Sequence, residues 1–77
     1  MKAQLTSAIK ELEDLGIDLE LFYAISSNSL GVSFQGKYNS EIVSKLNEAL
    51  YYIRVDANGY FVMNRQIGDV LIMVVFN

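Results

Sequence analysis

Apolar side chains recur at three- and four-residue steps between residues 3 and 15, at Leu5, Ala8, Ile9, Leu12 and Leu15. This spacing lays one stripe along a helix. Gly16 follows where a helix accepts a left-handed residue, so the pattern predicts an amphipathic first helix that stops there. Its last turn carries Glu13 and Asp14 at the unfavourable end of the helix dipole, with Lys10 three and four residues before them and within reach of both.

From Ile17 the period shortens to two. Ile17, Leu19, Leu21, Tyr23 and Ile25 fall on one side, and Asp18, Glu20, Phe22 and Ala24 on the other, which predicts a strand. The turn formers Ser26 to Ser29 separate it from a second alternating run, Leu30, Val32 and Phe34 against Gly31, Ser33 and Gln35. A hairpin is expected. Gly36 closes that strand, and Asn39 or Ser40 can cap a second helix that has Glu41 in its first turn. Its buried stripe reads Ile42, Val43, Leu46, Ala49 and Leu50.

The remainder reads as a meander of three strands, Tyr51 to Asp56, Tyr60 to Arg65 and Val70 to Phe76. Asp56-Ala57-Asn58-Gly59 permits either a two-residue turn or a type I turn closed by a glycine bulge, and the choice exchanges the faces of one strand. The bulged turn is preferred. It sets Tyr51, Ile53 and Val55 beside Phe61 and Met63, and collects Tyr52, Arg54, Asp56, Tyr60, Val62 and Asn64 opposite. The expected fold is α+β, in the order α-β-β-α-β-β-β, a two-layer sandwich with both helices on a five-stranded, largely antiparallel sheet. Residues 1–77 make one domain, with no repeat and no linker composition.

Composition narrows the chemistry. With no cysteine, histidine or proline, the chain offers no disulfide framework, no Cys/His metal module and no histidine base for a serine or cysteine nucleophile. Its glycines do not form a phosphate loop or a dinucleotide fingerprint, and no cofactor is expected. A net charge of −3 with six scattered basic residues argues against direct nucleic-acid binding. The N-terminal residues lack a signal-peptide pattern and the longest apolar run, Val70 to Phe76, is too short to span a bilayer; a cytoplasmic, non-membrane protein is expected.

Three features invite a functional reading. Glu11, Glu13, Asp14, Asp18 and Glu20 crowd the first helix-strand corner without a basic residue among them; they suit a solvated guard on the first strand, a patch for a basic partner protein or, least well, a metal or acid-base site. Tyr52, Arg54 and Tyr60 share the outward side of the meander and are residue types that concentrate binding energy at interfaces. The last strand is apolar on both faces: it is either central with both faces covered, or it turns Leu71, Met73 and Val75 towards another copy or another protein, and the second is preferred.

Together these features predict a non-catalytic binding module, an inhibitor or adaptor that occupies a partner's surface. A homodimeric structural or small-molecule-sensing domain is the alternative, and a carboxylate-based metal enzyme a distant third. In size and charge alone, and in no motif, the chain is similar to small phage or plasmid inhibitors of bacterial defence systems.

Overall fold

In the structure, a computed structural model that describes residues 2–77, the first stripe becomes helix α1, Lys2–Asp14. Ala8 and Leu12 are fully buried, with Leu5, Ile9 and Leu15 packed beside them. Gly16 takes φ +80°, which lets its N–H donate to the Glu13 carbonyl at 2.9 Å and the N–H of Ile17 to the Leu12 carbonyl at 3.1 Å. This paired reversal satisfies the last carbonyls of the helix.

The strand expected from Ile17 begins later. Asp18 accepts the Glu20 N–H on its carboxylate at 3.0 Å and opens a 3₁₀ turn, Leu19–Leu21; a tight turn accommodates the same alternation, and the local side-chain bond selects it. Strand β1 is Phe22–Asn28. A bulge between Phe22 and Ala24 shifts its parity. Phe22, which alternation placed on the wet side, therefore joins the core, while Leu21 and Tyr23 are exposed.

Strand β2, Gly31–Gly36, runs antiparallel to β1. The Asn28 side-chain oxygen accepts the N–H groups of Leu30 at 2.8 Å and Gly31 at 3.3 Å, so Leu30 sits exposed in the turn instead of starting the strand. Gly31 has φ +153°, and a β-carbon there would collide with the Leu71 backbone carbonyl. That close approach requires glycine.

Helix α2, Ser40–Glu48, is capped by Asn39, whose side-chain oxygen accepts from Glu41 N–H at 3.0 Å and Ile42 N–H at 3.1 Å. Ile42 and Leu46 are buried and Val43 and Ala49 pack against them. Leu50 does not extend the stripe. It takes φ +68° and is 79% exposed, because the chain reverses there through Leu50 N–H to the Asn47 carbonyl and Tyr51 N–H to the Leu46 carbonyl, both at 3.1 Å.

The meander forms as β3, Tyr52–Val55, β4, Phe61–Ile67, and β5, Val70–Phe76. At its first joint Asp56 N–H donates to the Tyr60 carbonyl and Gly59 N–H to the Asp56 carbonyl, each at 3.0 Å, with Gly59 at φ +82°. This is the bulged turn, and it pairs Ile53 with Met63 and Val55 with Phe61 as expected.

The five strands form one mixed sheet in the order β1-β2-β5-β4-β3. Only β2 and β5 are parallel; the other neighbours are antiparallel. The architecture is thus α+β, with two helices and a mixed, mostly antiparallel sheet. Val70, Ile72, Val74 and Phe76 of β5 share one core with Ala8 and Leu12 of α1 and Ile42 and Leu46 of α2, so both helices cover the same face.

Candidate functional site

With both helices on one side, the other face of the sheet carries no layer. Its residues follow from the pairing. One row across the sheet reads Ala24, Gln35, Val75, Val62 and Arg54, and the next reads Ser26, Ser33, Met73, Asn64 and Tyr52. Leu71 opposite Gln66 adds a third, shorter row. Tyr60, two residues before Val62, continues the same side by strand alternation.

The two groups read separately from the sequence therefore share one surface. Leu71, Met73 and Val75 form its half-buried apolar centre on the middle strand, and Tyr52, Arg54 and Tyr60 stand exposed along its β3 side. Val62 is only 2% exposed although no layer covers it, since it lies between Arg54 and Val75 in its row. Arg54 is the one charged side chain in these rows. Asp56 at the rim is engaged locally, where its carboxylate accepts the N–H groups of Asn58 at 2.9 Å and Tyr60 at 3.0 Å.

The five acidic residues lie elsewhere, on α1 and the connection after it. Asp18 and Glu20 do not share a strand face, because Glu20 lies in the 3₁₀ turn and Asp18 caps it. Asp14 approaches Lys10 at 3.8 Å. Glu11 is half-buried and Glu13 exposed. Among the described residues no three acidic side chains converge as a metal site would need.

A feature missed by the sequence reading sits beneath that corner. The Tyr51 hydroxyl is buried without a hydrogen-bond partner, and its pKa is pushed from 10.0 up to about 12, chiefly by burial, then by the charge of Glu11, with Arg65 pulling the other way. The Arg65 guanidinium donates to the Ala49 carbonyl. A phenol held protonated so far above neutrality is no proton acceptor. A groove of about 340 Å³ beside Glu20, Tyr23, Lys37 and Tyr38 is open to solvent.

No helix among the described residues is long and apolar enough to cross a membrane. The chain matches no family model, and the searches of curated proteins and of solved structures gave no significant match. The class these observations define is a small α+β domain with one uncovered, nearly uncharged sheet face.

Proposed function

We propose that this chain is a non-catalytic protein-binding module that docks a partner protein against the uncovered face of its sheet. One observation carries the reading: Met73 shares a row with Tyr52 and Val75 a row with Arg54, Leu71 lies in the next row, and all five are on the uncovered face, the three apolar ones half-buried. A sheet side meant only for water alternates to polar residues, whereas this one keeps an apolar middle on its central strand. Aromatic and arginine side chains around a charge-poor apolar centre have the composition of an interface core.

The area is modest. Seven residues of strand span about 23 Å and five strands about 19 Å, a projected face of roughly 400–500 Å², of which the apolar centre on β5 is a part and the polar and aromatic residues around it the rest. The partner is expected to present an apolar patch with acceptors for Arg54 and the tyrosine hydroxyls, in preference to a basic surface, since the acidic residues are on the helix side.

Immobilised wild-type protein, Met73→Lys and the helix-side variant Glu13→Lys/Glu20→Lys separate the surfaces. A partner retained by wild type and by the helix-side variant, and lost with Met73→Lys, supports the reading. A partner indifferent to Met73→Lys removes it.

A further inference from the structure

We infer that the free edge of β3 pairs antiparallel with β3 of a second copy, joining two molecules into one continuous sheet. The hydrogen bonding of the neighbouring hairpin fixes which groups are available. Asp56 turns both its N–H and its C=O towards the hairpin, to Tyr60 and Gly59. Antiparallel ladders alternate, so Arg54 and Tyr52 also bond inwards to β4, opposite Val62 and Asn64. The N–H and C=O groups of Ile53 and Val55 therefore point outwards, and they have no partner among the described residues.

The two edges of the sheet are treated differently. On the β1 edge stand a bulge, the polar run Ser26-Ser27-Asn28 and the 3₁₀ turn beside it, devices that discourage foreign strands. The β3 edge is short and carries Arg54, but it has neither bulge nor proline: its four pairs with β4 are regular, and the chain contains no proline. The helix layer also stops short of it. Ile53 and Val55 lie on the helix side, yet they are 40% and 65% exposed.

Charge selects both the occupant and the register. A two-fold axis perpendicular to the sheet keeps the helix sides together, so residues of like parity meet. Centring the axis on Arg54 would set two guanidinium groups directly opposite, which is repulsive. Centring it on Ile53 sets Ile53 against its own counterpart with two mutual hydrogen bonds, and Tyr52 against Arg54 of the second copy, a cation-aromatic pair. At each end the Val55 N–H meets the Tyr51 carbonyl of the other molecule. Leu50, exposed at its left-handed turn, falls at the end of the seam.

The test reads mass and amide exchange on the full chain. At millimolar concentration the wild type is expected at twice the 8.7 kDa of one chain, with the Ile53 and Val55 amides exchanging at least tenfold more slowly than at low micromolar concentration. Ile53→Pro removes an outward N–H and leaves the β3–β4 ladder intact; it and Val55→Lys should each be monomeric, while Met73→Lys on the sheet face remains dimeric. A wild type that stays monomeric at millimolar concentration overturns the inference. So does a dimer that survives Val55→Lys and is lost with Met73→Lys, which would place the contact on the sheet face.

Discussion

The ammonium group of Lys45, on α2, donates to the carbonyl oxygen of Gly16 at 2.6 Å, closing the end of α1 with a cation from 29 residues further along the chain. Arg65 of β4 does the same for α2 at Ala49. Both cations meet the negative end of a helix dipole and an otherwise free carbonyl, and so tie each helix to another element.

Replacing Lys45 with methionine keeps the stem and deletes the donor. The Lys45 side chain is partly exposed, so the expected loss is about 1 kcal/mol, below the range for buried hydrogen bonds to charged groups and within that for ordinary ones. Urea unfolding should show a lower midpoint with an unchanged slope. No change in midpoint would mean that water replaces the ammonium without cost.

The two helix ends make a matched experiment. Gly16 and Leu50 occupy equivalent left-handed positions, at φ +80° and +68°, but only one is glycine. Leu50→Gly should stabilise the fold by about 0.5–1 kcal/mol, and Gly16→Ala should destabilise it by about 1 kcal/mol. An added β-carbon at Gly16 meets nothing closer than the Lys45 ammonium at 3.4 Å, so its cost is conformational. Melting temperatures that move the same way for both variants would contradict the assignment of Leu50 as strained.

Gly31→Ala belongs to another class. The backbone carbonyl of Leu71 occupies the space of the new β-carbon, and neither central strand can retreat without breaking its ladder. The expected loss is about 3 kcal/mol or more, seen as a chain without a cooperative melting transition.

Tyr51 makes stability depend on alkaline pH. Its folded pKa of about 12 lies above the ordinary 10.0, so the folded state holds the phenolic proton more tightly than the unfolded state. That contribution is complete below pH 10 and is lost as pH rises towards 12, on the order of 2–3 kcal/mol in all. Tyr51→Phe should abolish this alkaline component. It should also raise stability at pH 7 by about 1 kcal/mol, because the unpartnered hydroxyl is gone. An unchanged alkaline profile in Tyr51→Phe would assign the effect to other groups.

Local signals in the sequence account for much of this fold. The stripe of α1, the Asn39 cap and the Asp56–Gly59 turn each rest on residues within a few positions of one another, and each formed as expected. The apolar run Val70 to Phe76 marked a strand but left its place open; β5 is the middle strand, with one face in the core and the other without a covering layer. The segment Ile17 to Leu21 misled because its alternation fits a 3₁₀ turn equally well, and the bulge after Phe22 turned that residue to the core while Ala24 and Ile25 kept the sides expected of them.

Long-range choices were not legible. Nothing near Val32 announces Ile72 as its partner, nor does anything near Gly16 announce Lys45. The merging of Tyr52, Arg54 and Tyr60 with Leu71, Met73 and Val75 into one surface depends on strand order, which periodicity does not encode. The exposure of Ile53 and Val55 depends on how far the helix layer reaches, a property of the assembled molecule.

Because β5 joins β2 to β4 yet comes last of the five in chain order, a ribosome delivers both neighbours before the strand that unites them. Until it emerges, two separate hairpin halves wait with open borders and half a core. Closing the parallel β2–β5 seam spans some forty residues, a loop-closure cost met before any of its contacts form. Native structure is therefore completed only once that final stretch is free, and the nascent chain is most vulnerable to aggregation just before then.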